Sequence, residues 1–157
     1  MKKQIRSDLL YIALLAGVVF LFISKLPLGI APADECFYPT IPYRMALFDE
    51  AFFVHEWNLA QLSGFILYPF VKIYLSVYKS TEGIILAARY LYLAMHLATG
   101  FCIYMLLREK FNIAAAGASV VYLLFVPYGI MAPCYNTIGL MFVILFATVL
   151  VSDDSIS

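Results

Sequence analysis

Charge is what this sequence has least of. Only 13% of its 157 residues are Asp, Glu, Lys or Arg, in a chain that is 64% hydrophobic and 17% aromatic. A soluble domain is about a quarter charged and about half apolar, so a water-soluble globule is excluded. Ten basic residues balance ten acidic ones and the formal net charge is zero, which leaves no basic field to attract nucleic acid. The three cysteines show no C-x-x-C pair and no metal-ligand spacing. H-x-x-x-H and H-E-x-x-H zinc motifs are missing, as are a G-x-S-x-G nucleophile elbow and a Walker loop. Zinc-peptidase, serine-hydrolase and nucleotide-driven chemistry therefore have no support. His55 and Glu50 make a poor metal pair, because on a helical period they point about 140° apart. No metal and no cofactor is expected. Internal repeats and low-complexity linkers are also lacking.

What the chain has instead is apolar runs, with a mean hydropathy of +0.92. A bilayer core of about 30 Å needs ~20 apolar residues in a helix. Residues 9–26 supply a first span, preceded by Lys2, Lys3 and Arg6, which favour a cytoplasmic amino terminus. No small-x-small cleavage site follows it, so it reads as an uncleaved span rather than a signal peptide. Pro27 and Pro32 end it. Further spans are expected at 83–107, closed by 108-REKFN-112, at 113–131, and at 138–151. The third opens on 113-IAAAGAS-119, small residues that let helices approach closely in lipid.

Segment 59–80 is long enough to cross, but its polar residues are ordered. Gly64, Tyr68, Lys72, Ser76 and Lys79 recur on one helical face. A helix with one lysine-bearing face suits the membrane interface. The fold class expected is an all-α integral membrane protein of four transmembrane helices in the cell membrane, both ends cytoplasmic, forming a single transmembrane domain. An external loop over 27–82 carries an interfacial amphipathic helix. Cys36 and Cys134 then fall on the external side, either as free thiols or as a disulfide.

Five of the ten carboxylates, Asp34, Glu35, Asp49, Glu50 and Glu56, crowd into 31–57 with His55. Carboxylates beside low-dielectric surface can act as bases or bind cations; the alternative is that they keep an external loop wet. Asp49 and Glu56 share a face if 45–57 is helical. In the second span Glu82, Arg89 and His96 recur every seven residues, with Tyr92 and Thr99 beside them. Ionisable groups in a span usually face protein or a wet cavity. The alternative is that Arg89 snorkels to the interface while His96 bonds a neighbouring helix. Tyr135, Asn136 and Thr137 offer neutral hydrogen-bonding groups or turn chemistry.

The order of these segments resembles the GT-C glycosyltransferases, membrane enzymes that take sugar from polyprenyl-phosphate donors. The protein O-mannosyltransferases and lipid A aminoarabinose transferases are of this kind. The resemblance rests on 33-ADECFY-38, on 64–111 with its arginine-led span and R-x-x-F turn, and on the alanine-rich return 113–130. It implies that Asp34 is the catalytic base toward the acceptor hydroxyl. It further implies that Glu35, Arg89, His96, Tyr135 and Asn136 hold substrate, with a lipid-linked sugar donor and membrane lipids as partners. Family members are longer, with more spans and, in many, a second acid where this chain has 127-PYGIMAPCYNT-137. The chain is thus expected to correspond to an amino-terminal portion, inactive by itself. Two other classes compete. One is a non-enzymatic membrane subunit binding lipid or a membrane protein partner. The other is a transporter component with Glu82, Arg89 and His96 as a polar path, which the lack of an internal repeat weakens.

Overall fold

The computed structural model describes residues 2–28, 34–49, 54 and 62–153. Its regular structure among these is entirely helical. Six helices follow one another: α1 (Lys2–Lys25), α2 (Asp34–Phe48), α3 (Leu62–Tyr78), α4 (Ile84–Phe111), α5 (Ile113–Leu124) and α6 (Tyr135–Ser152). Three stretches, Gln4–Lys25, Ile84–Phe111 and Tyr135–Ser152, are long and apolar enough to cross a membrane. At 1.5 Å per residue α4, with 28 residues, is about 42 Å long. Two compact units divide the chain. One comprises Met1–Pro27, Leu93–Val126 and Leu140–Ser157; the other comprises Leu28–Tyr92 and Pro127–Gly139.

In the first unit, α1 is apolar on every face between Leu9 and Ile23, as a helix in lipid is. Tyr11, Val18, Phe22 and Leu26 are buried, while Leu9, Ile12, Phe20 and Ile23 are exposed. The Tyr11 ring stacks on Tyr104 with centroids 3.9 Å apart. Small residues bring α5 close to α4: a Cβ on Gly100 would sit 2.6 Å from Leu123 Cδ2. Ser119 Oγ donates to the Gly100 carbonyl at 2.6 Å. Ala115 and Ala116 are fully buried, whereas Gly117 and Ala118 face outward, so only part of the alanine-rich stretch mediates packing.

The helix α5 has 12 residues, about 18 Å. It stops at Leu124, well short of the expected end at residue 131. Phe125 is extended (φ −90°, ψ 108°), and Pro127 follows with no N–H and with a ring that disfavours helix in the residue before it. Hydropathy continues through this stretch, but the backbone cannot.

In the second unit, α2 forms across Pro39 and Pro42 and packs against α3. It ends because Asp49 takes φ 52°, the left-handed conformation of a residue just past a helix end. The condition for Asp49 and Glu56 to share a face, a helix over 45–57, is therefore not met at Asp49; Glu50, His55 and Glu56 lie outside the described residues. The helix α3 has three distinct faces. Ser63, Leu67 and Val71 are buried, Lys72 and Ser76 are exposed beside Phe65, and so are Ile66, Ile73 and Val77, while Lys79 (φ 53°) lies past the helix end. Of the polar stripe expected on α3, Gly64 is buried and Tyr68 half-buried.

Candidate functional site

Among the described residues, the candidate site in the second unit is built around Glu35 and Arg89. Glu35 is the second residue of α2 and 1% exposed; Arg89 lies in the second turn of α4 and is 3% exposed. Arg89 Nε donates to Glu35 Oε2 at 3.0 Å, and Nη2 donates to the same oxygen. Arg89 Nη1 donates to the Leu28 carbonyl at 2.9 Å. The other carboxylate oxygen, Oε1, accepts from the Met131 N–H at 2.7 Å. A planar guanidinium with donors in a fixed fork is suited to such a set of partners.

Charges this deeply buried are retained only when paired and hydrogen-bonded. Here the pair also serves backbone groups that no helix satisfies. Leu28 follows α1, and Met131 lies between α5 and α6. Backbone N–H and C=O groups outside regular helix must find other hydrogen-bond partners. Glu35 and Arg89 are those partners for a carbonyl and an amide of opposite polarity.

The same segment is fixed by further contacts. Thr137 Oγ1 accepts from the Cys134 N–H at 2.9 Å and donates to the Ala132 carbonyl at 2.8 Å, which caps the start of α6. Tyr38, Ile130, Ala132 and Cys134 form a buried cluster, and Tyr38 meets the Tyr135 ring edge-on at 5.7 Å. Ahead of Met131 stands a tight turn. Tyr128 (φ 54°, ψ 14°) and Gly129 (φ 70°) both have positive φ, and Ile130 N–H bonds the Pro127 carbonyl at 3.0 Å. This is a type I′ turn, in which a residue other than glycine or asparagine costs about 1–2 kcal/mol.

The remaining expected residues fall as follows. Asp34 opens α2; its side chain lies outside the described part, as does that of Cys36. Tyr135 is exposed and Asn136 half-buried at the head of α6. Cys134 is fully buried with a free thiol, so the disulfide alternative does not hold for it. Glu82 precedes α4 and is exposed, while Arg89, Tyr92, His96 and Thr99 are buried. The expected stripe thus begins at Arg89. Among the described residues no group of three or more His, Cys, Asp or Glu is placed to hold a metal ion.

His96 belongs to the first unit. Nδ1 lies 2.9 Å from Tyr122 Oη and Nε2 lies 3.0 Å from the Leu123 carbonyl. A carbonyl only accepts, so Nε2 carries the hydrogen and Nδ1 of the neutral ring accepts from the tyrosine. Both ring nitrogens are thereby engaged by α5. Leu123 is in the last turn of α5, where carbonyls lack helical partners, so His96 caps that helix from the side.

Two open cavities flank the second unit's helices. A cleft of ≈ 250 Å³ is lined by Pro39, Thr40 and Tyr43 of α2 and by Thr81, Ile84 and Ile85. A groove of ≈ 470 Å³ lies between α3 and α4, lined by residues that include Phe70, Tyr74, Tyr78, Ala87 and Tyr90. Hydropathy and spacing gave no sign of the Met131 amide, of the Thr137 cap or of the strained Tyr128; only the threonine, flagged as turn chemistry, carried a readable signal. No family model matches the chain, and no curated protein or solved structure matches it either.

Proposed function

We propose that the chain is the membrane-embedded, amino-terminal part of a glycosyltransferase of the GT-C kind, transferring sugar from a polyprenyl-phosphate donor at the external membrane face. Asp34 is its base and the chain crosses four times, with both ends cytoplasmic and α3 in the interface. The observation that carries this reading is the buried Glu35–Arg89 pair, which anchors the head of α2 one residue from Asp34. A base needs a fixed position relative to the hydroxyl it deprotonates. Asp34 supplies the proton acceptor, and Glu35, with both oxygens engaged, supplies the fixed position. On this reading Glu35 and Arg89 hold the head of α2, whereas the family resemblance implies that they touch substrate. The α3–α4 groove supports a donor with a long apolar chain, and the three faces of α3 (protein, polar, apolar) support its interfacial placement.

The second reading, a non-enzymatic membrane subunit, is favoured by His96, whose ring nitrogens are both committed to α5. Photolabelling separates the two. A photoreactive polyprenyl phosphate should label the chain in native membranes, and a polyprenyl-phosphate sugar should compete while phosphatidylglycerol does not. Labelling that any anionic lipid suppresses equally, or none above a single-span control, would favour the subunit.

A further inference from the structure

Tyr128 stands apart from every other aromatic side chain described. It is 85% exposed, more than any other large apolar or aromatic side chain among the described residues, and it holds a left-handed backbone conformation. Strain of that kind persists only where the surroundings fix it. They do: Pro127 and Ile130 on either side are buried, Ile130 closes the turn, and Glu35 holds the Met131 amide. Asparagine or glycine would fill this turn position without strain. The chain instead carries a large ring there and aims it outward.

The chemistry of its neighbourhood indicates what the ring meets. From residue 111 to residue 152 the sequence contains no Asp, Glu, Lys, Arg or His. The turn leads into α6, which is long and apolar enough to cross a membrane, and the exposed Tyr135 opens that helix. A charge-free turn at the end of a span sits at the depth where hydrocarbon gives way to headgroups. Tyrosine is the residue that this layer favours, because its ring is apolar and its hydroxyl is wet. We infer that the Pro127–Ile130 turn is a lipid-docking element that sets Tyr128 into the phospholipid headgroup layer and so fixes the depth of the α6 end. The inference rests on the membrane placement of the chain and not on sugar transfer.

The test puts a reporter at the position. Tyr128→Trp in a Trp57→Phe background carries a single tryptophan, because the chain has only one. The protein is reconstituted into phosphatidylcholine vesicles brominated either near the headgroup or near the chain end. Bromine near the headgroup should quench more strongly than bromine at the chain end, and aqueous iodide should quench less than it quenches free tryptophan. Iodide quenching at the free level with no response to bromolipid would overturn the proposal and assign the ring to water or to a soluble ligand such as a sugar. Stronger quenching from the chain end would overturn it by placing the turn in the core. Tyr128→Cys bearing a polarity-sensitive dye serves if the tryptophan variant fails to reconstitute: emission between its water and hydrocarbon limits supports the docking, and emission at either limit overturns it. Flotation of the unmodified chain with the same vesicles checks the membrane reading separately.

Discussion

The Glu35–Arg89 cluster and the His96–Tyr122 cluster are both buried and both hydrogen-bonded, yet one is charged and the other neutral. The difference follows from the backbone each serves. His96 meets one orphan carbonyl near a helix end and one hydroxyl, for which a neutral ring with one donor and one acceptor suffices. Glu35 and Arg89 meet two orphan groups of opposite polarity, the Leu28 carbonyl and the Met131 amide. An acceptor and a donor are both required, and an ion pair supplies them while each charge neutralises the other. The buried ionisable groups of these two clusters are thus explained by where regular helix stops.

The strongest way to break the comparison is to delete half of the charged cluster. Arg89→Leu leaves Glu35 buried without its partner and the Leu28 carbonyl without its donor, and should cost about 3–5 kcal/mol of stability, read as thermal unfolding in detergent. An ordinary buried ion pair is often replaceable by two apolar residues at little cost. Here Glu35→Leu with Arg89→Leu should remain destabilised, by about 1–3 kcal/mol for the Met131 amide and by less for the carbonyl of the exposed Leu28. A double variant as stable as the parent would mean that the backbone needs neither side chain.

The neutral cluster should respond less. His96→Leu takes the donor from the Leu123 carbonyl and one of two side-chain partners from the Tyr122 hydroxyl, which keeps Thr99, and should cost about 1–3 kcal/mol in the same assay. Gly100→Ala probes the close approach beneath it, since the new Cβ would lie 2.6 Å from Leu123 Cδ2. Overpacking typically costs about 1–3 kcal/mol, and the lower end is expected because a leucine side chain can shift. Asp49→Asn, at an exposed position beyond α2, should stay within about 0.5 kcal/mol of the parent.

Much of the helical pattern was legible because apolar run length reports directly on helices that can sit in lipid. The stretches 9–26, 83–107 and 138–151 correspond to α1, α4 and α6, with α1 beginning seven residues earlier and the other ends within four. Two features were hidden for physical reasons. Pro39 and Pro42 mark α2 as irregular in any local reading, yet packing on α3 keeps it helical. The apolar run past Leu124 extended the third span on paper, whereas Pro127 stops the helix. In the site, Glu35 and Arg89 stood out as ionisable residues in apolar surroundings. Their pairing across 54 positions, and the backbone groups they satisfy, are tertiary facts with no local signature. The same holds for Tyr128: nothing in Pro-Tyr-Gly announces a left-handed tyrosine.

The proposed division of labour, Asp34 reacting and Glu35 holding, is tested most directly by sugar transfer per folded molecule in membranes from cells carrying Asp34→Asn at the protein's own locus. A general base contributes about 10²–10⁴-fold, so transfer should fall by that factor while the unfolding temperature and polyprenyl-phosphate labelling stay at the parent level. Transfer at the parent rate in Asp34→Asn, with loss in Asp49→Asn instead, would contradict the account and move the reacting carboxylate past the end of α2.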